Sequence, residues 1–300
     1  MTLDEDAVRR LLRMEELIPA MERALAELSG GRVVQPVRLV LPVAEREGFF
    51  FVMPAYGGAL GAKLVTFFPN NRGIPTHHAV VVLFRPETGE PLATMDGRLI
   101  TELRTAAVSA VATSVLARPD ASVLGILGSG AQARSHLQAL RLVRPFGEVR
   151  VWSPHRAGAF AERHGVRAAA SAEEAVRGAD VIVTATTSKV PVLFGEWLSP
   201  GAHVNAVGAP RPDWRELDDE TLRRARLYVE SREPALRESG DVIAAGSVFA
   251  EIGEVIGGVR PGRASADDIT LFKSVGMAVE DVVAADLVYR RAQQTATPAA

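Results

Sequence analysis

The fold is determined by residues 123–133, which read Val123-Leu124-Gly125-Ile126-Leu127-Gly128-Ser129-Gly130-Ala131-Gln132-Ala133. It contains Gly128-x-Gly130-x-x-Ala133, the G-x-G-x-x-A form of the dinucleotide fingerprint. Gly128 permits a tight turn, Gly130 lets a pyrophosphate approach the backbone, and Ala133 lets the following helix pack close to the strand. An ordinary strand-to-helix turn is the alternative, but the apolar strand before the glycines and the helical pattern after them favour a nicotinamide cofactor. Its pyrophosphate would lie at the helix N-terminus, beside Ser129, Ala131 and Gln132.

Strands and helices alternate on the C-terminal side of a predicted hinge at 117–120. Strands are predicted at 122–127, 148–152, 179–184 and 202–207, and helices are predicted to begin at Ala131 and Ala157. This alternation is typical of a doubly wound parallel sheet. The sequence therefore predicts a Rossmann-type NADP-binding domain over residues 119–274.

The N-terminal part has a different pattern. A capping box at 2–5 is expected to open a first helix that runs to about residue 13, and a second helix ends at Ser29-Gly30-Gly31. Short runs broken by Gly and Pro then predict an antiparallel sheet, with strands at 37–41, 49–52, 62–66, 79–84 and 92–95. A helix follows at 100–116.

The C-terminal part is predicted to return to this first domain. A long amphipathic helix is expected over about 267–291, and 295–300 resembles a frayed tail. The predicted organisation is an α/β protein. One part is the Rossmann domain, and the other is an α+β substrate-binding and dimerisation domain made of residues 1–118 and 275–300.

Composition excludes several classes of protein. The net charge is −2, which does not call for nucleic acid or an acidic membrane as a partner. There is no cysteine, so disulfides, thiolate zinc sites and cysteine nucleophiles are excluded. No apolar run reaches the roughly 18 residues of a membrane span. The acidic start Met1-Thr2-Leu3-Asp4-Glu5-Asp6 differs from a signal peptide, so we expect a cytoplasmic protein.

The end of the second Rossmann strand distinguishes between the two nicotinamide cofactors. An NAD site places Asp or Glu roughly 20 residues beyond the glycines to bind the ribose hydroxyls. This chain has Val151-Trp152-Ser153-Pro154-His155-Arg156 there, without an acid. Ser153, His155 and Arg156 can donate to a 2′-phosphate. NADPH is therefore the predicted cofactor, although Arg156 could also be only a solvated residue.

Three cations of the first domain are flanked by apolar residues. They are Arg38 in Val37-Arg38-Leu39, Lys63 in Ala62-Lys63-Leu64 and Arg104 in Leu103-Arg104-Thr105. A surface charge is the usual explanation for any one of them. Three together suggest an anion pocket, because a guanidinium group fits a carboxylate.

At this point the chain resembles the ornithine cyclodeaminase/mu-crystallin family over almost its whole length. The motifs that carry the resemblance are Gln35-Pro36-Val37-Arg38, Met53-Pro54-Ala55-Tyr56, Lys63-Leu64-Val65-Thr66, Met95-Asp96-Gly97, Arg104-Thr105-Ala106-Ala107-Val108-Ser109-Ala110, Gly128-Ser129-Gly130-Ala131-Gln132-Ala133, Phe194-Gly195-Glu196-Trp197, Asn205-Ala206-Val207-Gly208, Arg211-Pro212-Asp213-Trp214-Arg215-Glu216-Leu217, Glu238-Ser239-Gly240-Asp241 and Phe272-Lys273-Ser274-Val275-Gly276-Met277-Ala278-Val279-Glu280-Asp281.

The resemblance implies a homodimer in which the N-terminal sheets join across a two-fold axis. It implies that Arg38, Lys63 and Arg104 face a small imine or amino-acid substrate, with the arginines holding its carboxylate. The residues expected near the cofactor beside the glycine loop are Thr76, His77, Thr105, Thr186, Val207 and Ser274. No metal is expected, because His77-His78 lacks an Asp, Glu or Cys partner at ligand spacing.

One position separates the activities of the family. Its cyclodeaminating and alanine-dehydrogenating members carry a general-base aspartate in a Gly-x-Asp-x-Pro pattern, whereas this chain reads Gly208-Ala209-Pro210-Arg211-Pro212. Pro210 replaces the acid, and Asp213 is displaced by three residues. The Arg-Pro-Asp-Trp-Arg-Glu-Leu run that follows is similar to the mu-crystallin branch, which contains ketimine reductases.

The resulting hypothesis is NADPH-dependent reduction of a cyclic ketimine carboxylate, Δ1-pyrroline-2-carboxylate or Δ1-piperideine-2-carboxylate, to the cyclic L-amino acid. Arg38 and Arg104 would bind the carboxylate and Lys63 would polarise the C=N group. The first alternative is an ornithine cyclodeaminase or an alanine or other amino-acid dehydrogenase of the same family. The second is a binding protein that keeps NADPH affinity but turns over little substrate.

Overall fold

The computed structural model describes residues 1–296. The chain divides into two compact units, the first made of Met1–Arg104 with the described residues from Gly276 onward, and the second of Thr105–Val275. The boundary falls inside a helix, Gly97–Leu116, rather than at the hinge that the sequence suggested. The assignment of substrate and cofactor roles to two domains stays a prediction. The last four residues of the predicted substrate-binding domain, 297–300, lie outside the described residues.

The strands and helices are numbered in chain order. The strands are β1 Thr2–Leu3, β2 Leu39–Val43, β3 Gly48–Tyr56, β4 Leu60–Phe67, β5 His77–Phe84, β6 Pro91–Asp96, β7 Val123–Leu127, β8 Glu148–Trp152, β9 Arg167–Ala168, β10 Val181–Thr184, β11 His203–Ala206, β12 Ala225–Val229, β13 Ala250–Glu251 and β14 Ile269–Lys273. The α-helices are α1 Glu5–Leu11, α2 Met14–Ser29, α3 Gly97–Leu116, α4 Ala131–Val143, α5 Ala157–His164, α6 Ala172–Val176, α7 Asp219–Arg224, α8 Arg232–Glu238, α9 Gly240–Ala245, α10 Ile252–Ile256 and α11 Ala278–Ala296.

The first unit is built on a six-stranded sheet of order β1-β6-β5-β4-β3-β2. Strands β2 to β6 pair antiparallel, as the short apolar runs predicted, and only β1 pairs parallel, to β6. Residues alternate between the two faces of such a strand, and β5 buries Val81 and Leu83 while Val80 stays exposed. Strand β2 forms one edge of this sheet.

The first helix begins later than the predicted capping box. Thr2 belongs to β1 and pairs with Thr94. Asp4 is the N-cap, and its carboxylate accepts a hydrogen bond of 2.8 Å from the backbone N–H of Ala7. The expected box at 2–5 is therefore wrong, because the sheet edge recruits Thr2 and an aspartate cap is as favourable as a threonine cap.

The second unit is an eight-stranded parallel sheet of order β13-β12-β14-β11-β10-β7-β8-β9. The chain runs outward from β7 through β8 to β9, and then resumes on the other side of β7 at β10. Ligands of such sheets bind outside the carboxyl ends of the strands at the point where the strand order reverses. That point is the turn after β7, which carries Gly128. The predicted fold class, a Rossmann-type parallel sheet plus a unit with an antiparallel sheet, is confirmed.

The predicted helix over 267–291 is wrong in its first part. Residues Ile269–Lys273 form β14, a fully buried strand between β11 and β12. Gly276 then adopts a φ of +78°, a left-handed conformation that suits glycine, and α11 begins at Ala278. The helix continues to Ala296, so Thr295 and Ala296 are helical rather than part of a tail, and the rest of that predicted tail lies outside the described residues.

Helix α3 is long and apolar enough to cross a membrane by length and composition alone. However, 78% of its most apolar 18-residue window is buried inside the protein. This is the pattern of a core helix.

Candidate active site

A buried cluster of opposite charges lies in the first unit, where β4, α3 and α11 meet. The Lys63 ammonium is 2.6 Å from one oxygen of Asp281, and the Arg104 Nε is 3.1 Å from the other. Arg104 Nη1 is also 2.7 Å from Glu280. All four side chains are at least 95% buried. Asp281 therefore bridges two of the predicted substrate-binding cations, which are not the isolated charges that the sequence suggested.

Arg38 joins this cluster from the segment just before β2. Its Nη2 donates a hydrogen bond of 2.8 Å to the backbone oxygen of Gly276. A Cβ atom added at Gly276 would lie 2.6 Å from the Arg104 guanidinium, so glycine is needed for this close approach. Gly276 thus holds Arg38 and Arg104 next to each other, and the structure brings all three predicted cations together.

The charges in the cluster control one another's ionisation. Burial lowers the pKa of Lys63 to about 8, against the attraction of Asp281 and with added repulsion from Arg104 and Arg38. Burial would raise the pKa of Asp281, but Arg104 and Lys63 outweigh it and hold that pKa below its ordinary value. With all five groups ionised, three cations face two carboxylates. One positive charge remains, which suits an anionic ligand.

Thr76 and His77 lie in the same unit, at the start of β5. The Thr76 hydroxyl is 3.2 Å from His77 Nδ1, and the imidazole stacks on Phe67 with ring centroids 4.5 Å apart. Desolvation and then the nearby Lys63 charge lower the pKa of His77. This shift favours the neutral imidazole, which can both donate and accept a hydrogen bond.

The glycine loop of the second unit has the shape that a dinucleotide needs. Gly128 has a φ of +121°, and a Cβ there would lie 2.3 Å from the backbone oxygen of Ala185. Gly130 is the N-cap of α4 and has no side-chain cap, and a Cβ at Gly130 would meet no atom within 4 Å. Ala133 is fully buried. The open space at Gly130 and the uncapped N–H groups of Ala131 and Gln132 fit a pyrophosphate.

The turn after β8 is joined to this loop. The Ser129 hydroxyl donates to Ser153 Oγ at 2.9 Å, and Ser153 Oγ accepts from the Arg156 backbone N–H at 3.1 Å. His155 and Arg156 are exposed. Within residues 1–296 the Arg156 side chain makes no ion pair, so its guanidinium is available to a ligand at this turn.

Three of the remaining predicted cofactor residues lie just after strands of the parallel sheet, and the fourth, Thr105, does not. Thr186 lies just after β10, Val207 just after β11 and Ser274 just after β14. The Ser274 hydroxyl is occupied, since it donates to Glu230 at 2.6 Å. Thr105 instead lies buried in α3. The turns after β7, β8, β10, β11 and β14 share the carboxyl edge of the sheet, because the strands are parallel.

The sequence interpretation did not assign roles to the acids of α11. Glu280 and Asp281 appear in a quoted motif, but their partners Lys63 and Arg104 are more than 170 residues away in the chain. Two adjacent acids among the apolar residues of a helix are a usable signal, because a fully buried acid requires a partner. Within residues 1–296, no group of three His, Cys, Asp or Glu side chains is placed to hold a metal ion.

The chain is similar to several known proteins. The model of the ornithine cyclodeaminase/mu-crystallin family matches residues 1–296. Ketimine reductase mu-crystallin of Mus musculus is 54% identical over 301 residues, covering 96% of each chain. Δ1-Pyrroline-2-carboxylate reductase of Thermococcus litoralis, solved with NADH and L-proline, superposes with a TM-score of 0.93 at 39% identity and 98% coverage of each chain.

A second solved structure, an archaeal alanine dehydrogenase dimer with bound NAD, has a TM-score of 0.94 at 38% identity, covering 100% of this chain and 98% of that one. The relatives confirm the predicted enzyme class, an oxidoreductase that uses a nicotinamide cofactor. Since the family model matches nearly the whole chain and the mu-crystallin identity exceeds half, this chain belongs to the ornithine cyclodeaminase/mu-crystallin family.

Proposed function

We propose that the protein is an NADPH-dependent ketimine reductase that converts Δ1-pyrroline-2-carboxylate or Δ1-piperideine-2-carboxylate into the cyclic L-amino acid. The observation that carries this proposal is the cluster of half-buried Arg38 and buried Lys63 and Arg104 with two buried acids. Its one excess positive charge matches a single carboxylate. The Thermococcus litoralis relative is itself a Δ1-pyrroline-2-carboxylate reductase.

In this mechanism the protein binds and orients the substrate. Arg38 and Arg104 pair with the substrate carboxylate, which fixes the ring. The Lys63 ammonium, held by Asp281, donates a hydrogen bond to the imine nitrogen and polarises the C=N bond. When bound, a reduced nicotinamide supplies hydride to the imine carbon, and the π electron pair of C=N then stays on nitrogen. A neutral imine accepts this hydrogen bond and would take its proton from Lys63 as the amine forms. An imine that is already protonated needs neither, so orientation is the main task of the site.

The loop at 208–213 supports a reductase over a deaminase. Ala209 has a φ of +52° and is 1% exposed, so it turns the chain sharply before Pro210. The side chain of Asp213 is 71% exposed, and one of its oxygens lies 3.9 Å from Arg211 Nε. Neither Pro210 nor Asp213 offers a buried carboxylate that could activate water or an amine, which cyclodeamination requires.

The preference for NADPH is the finer part of the proposal. The turn after β8 carries Ser153, His155 and Arg156 and no acid, which suits a 2′-phosphate. The relatives solved with NADH and NAD show that the family fold also accepts the cofactor without that phosphate. We therefore expect NADH to work, but with weaker binding.

We further propose that the protein acts in the cytoplasm as a homodimer joined along β2. This edge strand exposes Leu39, Val40 and Leu41 to 56%, 45% and 53%. An exposed apolar edge strand pairs readily with another strand, and a second copy of the chain would cover it.

Substrate turnover tests the proposed activity. NADPH oxidation is followed with each cyclic ketimine, with pyruvate plus ammonia, and with no second substrate. We expect rapid oxidation only with the cyclic ketimines and a cyclic amino acid as product. Oxidation with pyruvate and ammonia but not with the ketimines would identify an amino-acid dehydrogenase instead.

A further inference from the structure

Glu216 is a fully buried carboxylate beneath the carboxyl edge of the parallel sheet. One of its oxygens accepts hydrogen bonds from the Thr186 backbone N–H at 2.8 Å and from the Thr186 hydroxyl at 2.5 Å. The other accepts from the Thr184 hydroxyl at 2.9 Å. The carboxylate therefore fixes the end of β10 and the turn that follows it.

The same carboxylate also limits the turn after β11. A Cβ atom at Gly208 would lie 2.3 Å from Glu216 Oε2, so the Gly208 backbone rests directly against the acid. The backbone N–H groups of Val207 and Gly208 donate to the Thr184 carbonyl at 2.9 and 3.3 Å. Glu216 is thus the side chain that sits between two neighbouring turns and sets the space that separates them.

The segment that carries Glu216 is held in place from the other side. Asp241, at the start of α9, accepts hydrogen bonds from the backbone N–H groups of Glu216 and Leu217 at 3.2 and 3.1 Å. Lys273, at the end of β14, is 3.0 Å from Asp241 and also donates to the Gly208 carbonyl. These buried contacts leave the Glu216 side chain little freedom to shift.

We propose that Glu216 is a positioning residue for the cofactor, because it fixes the turns at Thr186 and Gly208. This inference rests on the proposed cofactor site. In a doubly wound fold each half of the sheet serves one half of the dinucleotide. The turn after β8, with Arg156, belongs to the half that serves the adenosine side. The turns after β10 and β11 belong to the other half, where the nicotinamide side binds.

Two variants of Glu216 distinguish the effect of its side-chain length from the effect of its charge. Glu216→Gln removes the charge but keeps the reach: its amide oxygen still accepts from Thr186 and its amide nitrogen donates to the Thr184 hydroxyl. Glu216→Asp keeps the charge but shortens the side chain by one methylene group, so it cannot support both turns. Asp180→Glu is the matched control, because Asp180 accepts from the backbone N–H groups of Ser122 and Val123 at the amino edge of the same sheet.

The readouts are the Kd of NADPH and of NADH from fluorescence titration without ketimine, the melting temperature, and the KM for ketimine. We expect Glu216→Asp to weaken NADPH binding by about tenfold or more, the effect of losing a hydrogen bond to a charged group, with little change in the KM for ketimine. Glu216→Gln should stay within about threefold of the parent, a shift smaller than one such bond. Asp180→Glu should lower only the melting temperature.

NADPH binding by Glu216→Asp equal to that of the parent would overturn the inference, as would a larger loss in Glu216→Gln than in Glu216→Asp. These outcomes differ from a failure of the proposed function. A parent protein that binds NADPH but does not reduce ketimines would contradict the proposed reaction and leave the role of Glu216 intact. A parent that binds neither cofactor would contradict both.

Discussion

At the scale of single residues, the ammonium group of Lys63 determines the charge of the substrate site near neutral pH. Its pKa is lowered to about 8 by burial, so Lys63 is protonated below this pH and loses its charge above it. The excess positive charge of the cluster disappears at the same point, and with it the attraction for a carboxylate.

We therefore predict that kcat/KM for a cyclic ketimine, measured at saturating NADPH, falls as the pH rises through about 8. Lys63→Arg is the control, because a guanidinium keeps its proton throughout this range and should show no such fall. If the parent and Lys63→Arg show the same decline, the titrating group is the substrate imine rather than Lys63.

Arg156 is the residue that should distinguish the two cofactors. It is exposed and has no ion-pair partner within the described part of the chain, so removing it costs the fold little. We predict that the parent binds NADPH more tightly than NADH by roughly 1.5–3 kcal/mol, and that Arg156→Ala loses most of this difference with NADH affinity unchanged. Equal affinities of the parent for NADPH and NADH, measured by titration, would show that the turn after β8 does not bind the 2′-phosphate.

At the scale of elements, the turn between β7 and α4 provides a matched pair of variants. A Cβ at Gly128 would collide with the Ala185 backbone, whereas a Cβ at Gly130 meets open space. We predict that Gly130→Ala keeps the parent melting temperature but weakens cofactor binding, because the methyl group occupies the path of the pyrophosphate. Gly128→Ala should have a lower melting temperature than the parent, because an L residue is strained at a φ of +121°.

Normal cofactor affinity in Gly130→Ala, titrated directly, would contradict the placement of the pyrophosphate at this helix.

The elements also show which features can be predicted from the sequence. The β7–α4 turn was predictable because its glycines, strand and helix are contiguous in the chain. Strand β14 was not, because a short apolar run such as Ile269–Lys273 fits a buried strand or a buried helix equally well, and only its position between β11 and β12 decides. Likewise the cations Lys63 and Arg104 were identified, but pairing with Asp281 depends on the tertiary fold.

At the scale of the whole molecule, the exposed edge strand β2 predicts a dimer that substitutions on this strand alone can disrupt. We expect the double variant Leu39→Lys/Leu41→Lys to be monomeric by light scattering coupled to size exclusion, because charged lysines on an edge strand oppose pairing with a second strand. Val259→Lys, at a residue 74% exposed in the other unit, is the control and should leave the dimer intact. A dimeric double variant would place the interface elsewhere.

We propose that this site reduces an imine and does not deaminate an amino acid. The most direct measurement compares the purified protein in two reactions: NADPH oxidation with Δ1-pyrroline-2-carboxylate, and ammonia release from ornithine with the oxidised cofactor. We predict rapid oxidation and formation of proline in the first reaction, with little or no ammonia in the second, because Pro210 and the exposed Asp213 provide no base. Robust ammonia release from ornithine without reduction of the cyclic imine would contradict it.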